Sequence, residues 1–400
     1  MTGQRPSELH GASDEEYTTG QPGETGQIQP LAAKSAMIAN SSLDCHHHMR
    51  RLLIVLTIAV PLLVGVPLKA QNLTLERLGD YVEALRVQAG IPGLAVSIVG
   101  PDDVIWEQAF GRQDAERSIA TRADTPFHLN GVTQVFTATM VLRCVEEGRL
   151  SLDDRIGQFK SDSPDANATI RQLLTHTSGP PDALIFSYRP ERLEPLARAI
   201  RACTNDSYRE TLANLLTRLA MIDSVPGPDI VHPELLTEGI PSPSMVERYR
   251  GALERLATPY FVDRSGRLSP SQYSATTLTP ANGLISTVRD FAQFDLALKR
   301  GVLLRPDTLA MARRAPANAS GRPLPHGLGW FVQTYKGETI VWQFGITPNA
   351  SSSLVVTVPG RGVTYVLFAN SDGLAKPFAL TTGDVTASPF IRLFLGIALR

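Results

Sequence analysis

The sequence predicts a mixed α/β fold of the α+β type, with one sheet assembled from both ends of the mature chain and a helical lobe inserted between them. Strand-like runs lie at Leu94–Val99 and Val104–Phe110 and return beyond residue 329, while helical periods fill roughly 155–290. The 400 residues are 43% hydrophobic, enough to build a buried core of that size. No internal repeat interrupts the pattern.

Leu75, Leu78, Val82, Leu85 and Ala89 recur at three- and four-residue spacing and mark an amphipathic helix, which Ile91-Pro92-Gly93 stops. Gly100-Pro101-Asp102-Asp103 is a turn sequence joining the first two strands. A helix is expected from about Val132 to Glu147, with Gly148 as its C-terminal cap. In the insert, Glu191–Cys203, Tyr208–Leu219 and Met245–Leu256 carry helical periods between Pro-rich loops. Strands follow at Gly329–Gln333, Thr339–Gln343, Leu354–Val358 and Val363–Ala369, and Phe390–Leu399 reads as an apolar helix.

A net charge of −1 and a pI near 6.7 supply no basic field for nucleic acid. Arginine carries most of the positive charge; lysine occurs only at 34, 69, 160, 299, 336 and 376. Met49-Arg50-Arg51, the apolar run 52–68 and Lys69-Ala70-Gln71 have the layout of a secretory signal cut after Ala70. On that reading Met49 is the start, 49–71 is the signal, 72–400 is the mature domain, and the protein is exported to the periplasm or secreted. Residues 1–48, rich in Gly, Gln, Ser, Thr and Glu, are then a disordered or mis-assigned extension. If Met1 is the start, residues 52–68 become a signal anchor and the sole membrane contact. Cys45-His46-His47-His48 in the extension is incidental, and neither a metal nor a cofactor is expected. Cys144 and Cys203 read first as two buried thiols; a single disulfide is the alternative that export permits.

The most informative stretch is Phe127-His128-Leu129-Asn130-Gly131-Val132-Thr133-Gln134-Val135-Phe136-Thr137-Ala138, which runs on into Glu146-Glu147-Gly148-Arg149-Leu150-Ser151-Leu152-Asp153-Asp154. With Gly90–Val96, the run Leu173-Leu174-Thr175-His176-Thr177-Ser178-Gly179, and Asn282–Asp290, it resembles the β-lactamase-related serine hydrolases: class C β-lactamases, D-alanyl-D-alanine carboxypeptidases and related esterases. The resemblance covers most of 73–370. It implies a serine β-lactamase/transpeptidase-like fold, an antiparallel sheet flanked by helices with an all-helical lobe at about 155–290 and the active site between them.

That family's pattern, F-x-I-G-S-x-x-K-x-F-T-A, places its nucleophilic serine at Gly131 and its lysine base at Gln134. At this spacing the two side chains share one helix face, and the lysine takes the serine proton. Glycine offers no nucleophile, and a neutral amide is no base near pH 7. The family's Y-x-N falls on Tyr188-Arg189-Pro190, where proline cannot orient a substrate amide. Its K-T-G or H-x-G falls on Gln343-Phe344-Gly345, which keeps the glycine and replaces the ionisable residue. Tyr188 reads equally as a proton-shuttling phenol or a packed aromatic, and Trp330 and Trp342 read as sheet packing.

Substitutes for the reacting pair are scarce. None of the six lysines has Ser or Thr three residues before it, and no G-x-S-x-G occurs. Thr133 is turned away along the helix from position 131. His176 beside Ser178 reads as structural, and His128, His232 and His326 lack metal-ligand spacing.

The resemblance and these departures together lead us to expect an exported pseudoenzyme that binds a peptide, cell-wall fragment or small ligand without covalent chemistry. The alternative is an active serine hydrolase-family member, an esterase, peptidase or β-lactamase-like enzyme using a displaced group such as Tyr188. A purely structural or partner-binding envelope protein is the third class; an open polar groove near Gly131 speaks for ligand binding and a filled one for that class. Serine at 131 is expected to stabilise the helix start. The sequence fixes no oligomeric state.

Overall fold

The first half of the sheet is closed by the last strand of the chain, as the distribution of apolar runs implies. The computed structural model describes residues 66–399, apart from 179–183, 233, 235, 237, 238, 240, 275 and 319, with side chains from Arg77 onward. The expected extension 1–48 with its Cys45–His48 cluster, and the signal or anchor except for its last few residues, lie outside the described residues. Among the described residues no helix is long and apolar enough to cross a membrane.

The chain opens with α1 (Val66–Gln88), β1 (Gly93–Val99), β2 (Val104–Asp114), β3 (Ile119–Ala120) and β4 (Phe127–His128). A 3-10 turn at Asn130–Val132 leads into α2 (Thr133–Glu146). The insert then holds α3 (Ile170–Leu174), α4 (Leu196–Thr204), α5 (Tyr208–Arg218), β5 (Val225–Pro226), α6 (Pro243–Glu254), β6 (Tyr260–Val262) and β7 (Leu268–Pro270). After it come β8 (Leu284–Ser286), α7 (Val288–Lys299), α8 (Pro306–Ala312), β9 (Phe331–Tyr335), β10 (Glu338–Thr347), β11 (Ser351–Val358), β12 (Val363–Ala369) and α9 (Pro389–Ala398).

The main sheet runs β3-β2-β1-β12-β11-β10-β9. Its pairings are antiparallel, and β1 meets β12 from Leu94 opposite Ala369 to Val99 opposite Thr364. Successive residues of a strand point to opposite faces. Leu94, Val96 and Ile98 therefore pack with Leu78 and Val82 of α1 and Phe390 and Phe394 of α9. Ala95 and Val99 join Val135, Phe136 and Val141 of α2 and Phe291 and Phe294 of α7 in the opposite core. Both faces are covered, so β1 and β11 are buried along their whole length rather than on alternate residues.

Three features depart from the sequence expectations. First, α4 starts at Leu196, not Glu191: Pro190 opens a 3-10 turn to Leu193, and Pro195 precedes the helix as its cap residue. Second, the insert is helical but carries short strands, β5 paired with β8 and the β6–β7 hairpin. Third, Cys144 and Cys203 are not free thiols but a disulfide, with Cα atoms 6.1 Å apart. It ties the end of α2 to α4, and so fastens the central helix to the insert.

Closing a loop across a sequence separation of 59 restricts the unfolded chain by about 4 kcal/mol. Replacing both cysteines by alanine should lower unfolding stability by roughly that amount, read by urea titration, and a reductant should lower only the parent protein.

Candidate functional site

The turn before α2 sets the site. Asn130 is buried and holds a φ of 49°, a left-handed conformation that asparagine tolerates better than most residues. Its Nδ2 donates to Ser351 Oγ (3.0 Å), and its Oδ1 accepts from Thr347 Oγ1 (2.6 Å), pinning the turn to β10 and β11. Gly131 thereby lies directly against β10. A Cβ at 131 would stand 2.5 Å from the Phe344 carbonyl oxygen and 3.1 Å from Tyr188 Oη. The other wall is equally tight, since a Cβ at Gly345 would meet the Gly131 nitrogen at 2.5 Å. Serine at 131 is thus opposed by backbone contact, which reverses the expectation that it would stabilise the helix start.

One turn along, Gln134 is buried. Its Nε2 donates to Tyr188 Oη (2.7 Å), and its Oε1 lies 3.0 Å from His176 Nε2. His176 Nδ1 faces the Arg189 backbone N–H at 3.3 Å. That amide can only donate, so Nδ1 accepts and the ring hydrogen sits on Nε2, from which it is donated to Gln134. A chain of donors with one consistent direction results: Arg189 N–H to His176, His176 to Gln134, Gln134 to Tyr188. His326 stacks edge-on against His176 at 4.7 Å and contacts the Gly327 carbonyl oxygen through Nδ1 (2.7 Å).

Nothing in this chain carries charge near neutrality. Burial lowers His176 well below the usual imidazole range, with His326 adding to the effect, and brings His326 down to about 4. Burial likewise pushes the Tyr188 phenol far above its ordinary value, against the hydrogen bond from Gln134. Of the other candidates, His128 is buried against Tyr273 at 3.9 Å and lowered by burial to about 3. Ser178 accepts from Arg192 at 3.2 Å, and Thr133 Oγ1 accepts from the Leu284 amide at 3.3 Å. Gln343 is buried, donates to the Gly329 carbonyl oxygen (3.2 Å) and does not line the cleft. Trp342 stacks on Phe331 at 4.2 Å in the sheet core, and Trp330 is buried in the opposite one.

The cleft itself is open, about 540 Å³ in volume. Gly131, Tyr188, Phe344, Gly345 and Ile346 form one side, with the Tyr188 and Phe344 rings stacked at 5.4 Å. Pro190 and the exposed Glu191 and Glu194 stand at its rim, and Ser274, Thr276, Thr277, Thr279 and Asn282 add hydroxyls and an amide to the lining. No described lining residue is a cation; Lys160 reaches the rim only by pairing with Glu194 at 2.9 Å, which raises its pKa. Among the described residues no cluster could hold a metal ion.

The structure therefore brings Gly131, Gln134, Tyr188, Pro190 and Gly345 to one cleft and its floor, and leaves Gln343 behind it. Sequence reasoning missed Asn130 as an anchor and set aside His176 and His326, which meet only through the fold. The Asn130-Gly131 dipeptide is a turn signal that could have pointed to this position, but the partners Thr347 and Ser351 are brought to it only by the fold.

An antiparallel sheet with a helical insert is the fold this chain shares with solved penicillin-binding protein homologues and class C β-lactamases. The Beta-lactamase family profile matches residues 78–385, and the chain belongs to that family. It is 26% identical over 332 residues to Penicillin-binding protein 4 of Amycolatopsis lactamdurans, covering 75% of this chain and 86% of that protein. It is 31% identical over 120 residues to Protein flp of Staphylococcus aureus (strain COL), a match spanning 28% of this chain and only 24% of that relative. The octameric penicillin-binding protein homologue from Pyrococcus abyssi superposes with a TM-score of 0.62 at 20% identity, over 80% of this chain and 77% of that one, a likeness of fold.

Two outcomes follow from this geometry. Gly131→Ser should destabilise by about 1–3 kcal/mol through overpacking, and Tyr188→Phe by about 1–3 kcal/mol by stranding the Gln134 donor; urea unfolding reads both. Acid should also weaken the fold. With the folded pKa of His326 at about 4 and that of His176 well below the usual imidazole range, the unfolded chain binds protons that the buried rings refuse. Their contribution is complete above about pH 6.5 and is lost on acidification towards the folded pKa, by about 1.4 kcal/mol per pH unit for each ring. Stability measured at about pH 7 and about pH 5 should fall in that sense, and a flat profile would contradict it.

Proposed function

We propose that this chain is a pseudoenzyme of the Beta-lactamase family: an exported protein whose cleft binds a peptide, cell-wall fragment or small ligand reversibly. The observation that carries this reading is the neutral chain from Arg189 through His176 and Gln134 to Tyr188, which occupies the place where the family pattern sets a lysine base. Acyl transfer needs a nucleophile and a base of suitable pKa within hydrogen-bond reach. Gly131 provides no nucleophile, both nitrogens of His176 are engaged, and the Tyr188 phenol resists ionisation.

The cleft supports ligand binding over a purely structural role, because it is open and its largely apolar lining carries several hydroxyls and an amide. Its hydroxyls and the Asn282 amide suit a ligand rich in hydroxyl or amide groups. Glu191 and Glu194 at the rim, with no cation among the described lining residues, disfavour a ligand held by its carboxylate. The Cys144–Cys203 disulfide supports export, since such bonds persist in oxidising compartments.

Intact-mass spectrometry of the full chain after incubation with a penicillin, and separately with an activated ester, tests the reading. The expected outcome is an unchanged mass and no released product; a stable acyl adduct would refute it, and mapping the adduct would identify the nucleophile. The double variant Gly131→Ser with Gln134→Lys should be less stable than the parent and turn over β-lactam weakly at best, because Pro190 and Gln343 are unchanged.

A further inference from the structure

A second cavity, of about 580 Å³, lies between α7, α8, the β9–β10 turn and the β11–β12 connection. It shares no lining residue with the cleft. Three cations stand at it: Lys299, Arg313 and Arg314. Lys299 is fully occupied, donating to the Val99 and Gly100 carbonyl oxygens at 2.9 and 2.8 Å and pairing with Asp295 at 2.6 Å. Glu338, the carboxylate in the wall, is already paired with Arg361 at 3.2 Å.

The two arginines differ from these. Among the described residues neither guanidinium makes a hydrogen bond or an ion pair, and Arg313 Nε is buried without any acceptor. Guanidinium carries five donors in a fixed fork, and a buried donor left unmade is costly. Asp295 is the one anion that attracts Arg313, and it is shared with Lys299. The cavity thus holds an excess of positive charge, and Arg313 Nε has no protein acceptor.

We propose that this cavity binds a small oxyanion, a phosphate or carboxylate group, on the forks of Arg313 and Arg314, with Lys299 contributing charge rather than a bond. Arginine suits this role because its planar fork matches two oxygens of such a group at once. Gly337, Thr339, Pro359 and Gly360 complete the lining, with the Glu338 carboxylate lying against Gly360. The site is independent of the reading given for the cleft.

Isothermal titration calorimetry of the full chain with inorganic phosphate, and separately with succinate, tests it at ionic strength matched by chloride. Saturable one-site binding of at least one probe is expected, and the preferred probe tells which oxyanion the site takes. Arg313→Gln should weaken that binding at least tenfold. Arg314→Gln, at an exposed position, should weaken it several-fold and carries the test should the Arg313 variant fail to fold by circular dichroism. No saturable heat with either probe, or affinity unchanged in Arg314→Gln, would overturn the proposal.

Discussion

The side-chain amide of Gln134 is the joint on which the cleft is built. It accepts from His176 on one side and donates to Tyr188 on the other, so three buried polar groups from α2, the segment after α3 and the approach to Pro190 are satisfied together. A buried polar group without a partner would cost more than such a bond contributes. The amide can serve both neighbours because it has a donor end and an acceptor end. A lysine there would bring only donors and a charge, facing a histidine nitrogen that itself donates. The arrangement therefore suits glutamine, and it holds the Tyr188 ring where it lines the cleft.

The same site depends on how closely backbone approaches backbone. Gly131 and Gly345 let the start of α2 settle on β10, and Asn130 fixes the turn by bonding across to Thr347 and Ser351. Those contacts join the middle of the chain to its C-terminal strands, just as β1 is joined to β12. The disulfide adds a covalent tie from the far end of α2 to the insert. The cleft lies between elements that are each anchored elsewhere, so its open volume does not rest on side chains packing across it. The pseudoenzyme reading proposed for it follows from the chemistry of those walls.

Much of the fold was legible in the sequence because burial on both sheet faces leaves mainly apolar runs such as Leu94–Val99 and Val363–Ala369, each with a single small polar residue, Ser97 or Thr364. Helix α5 was legible from the helical period of Tyr208–Leu219, and the structure adds a capping box of Ser207 and Glu210 around its first turn. The start of α4 was misread because its apolar period continues through Pro190 and Pro195, where the backbone cannot remain helical. Short strands β4, β5 and β8 are two or three residues long and carry no period to detect. At the site, Gly131, Gln134 and Tyr188 could be found from motif spacing. His176 and His326 could not, because their contact depends on the segment before β9 passing beside the end of α3, where the Gly329 N–H donates to the Leu174 carbonyl oxygen, and cysteine spacing alone did not distinguish a thiol pair from a disulfide.

The central claim is that a neutral, directed hydrogen-bond chain stands where acyl-transfer chemistry would need a base. Nitrogen-15 NMR of the histidine imidazoles in the full chain, with His176 assigned through a His176→Gln variant, tests it most directly. The account predicts a neutral His176 ring with its hydrogen on Nε2, unchanged from about pH 7 to about pH 5. An imidazolium signal in that range, or a hydrogen on Nδ1, would break the direction of the chain and contradict the account.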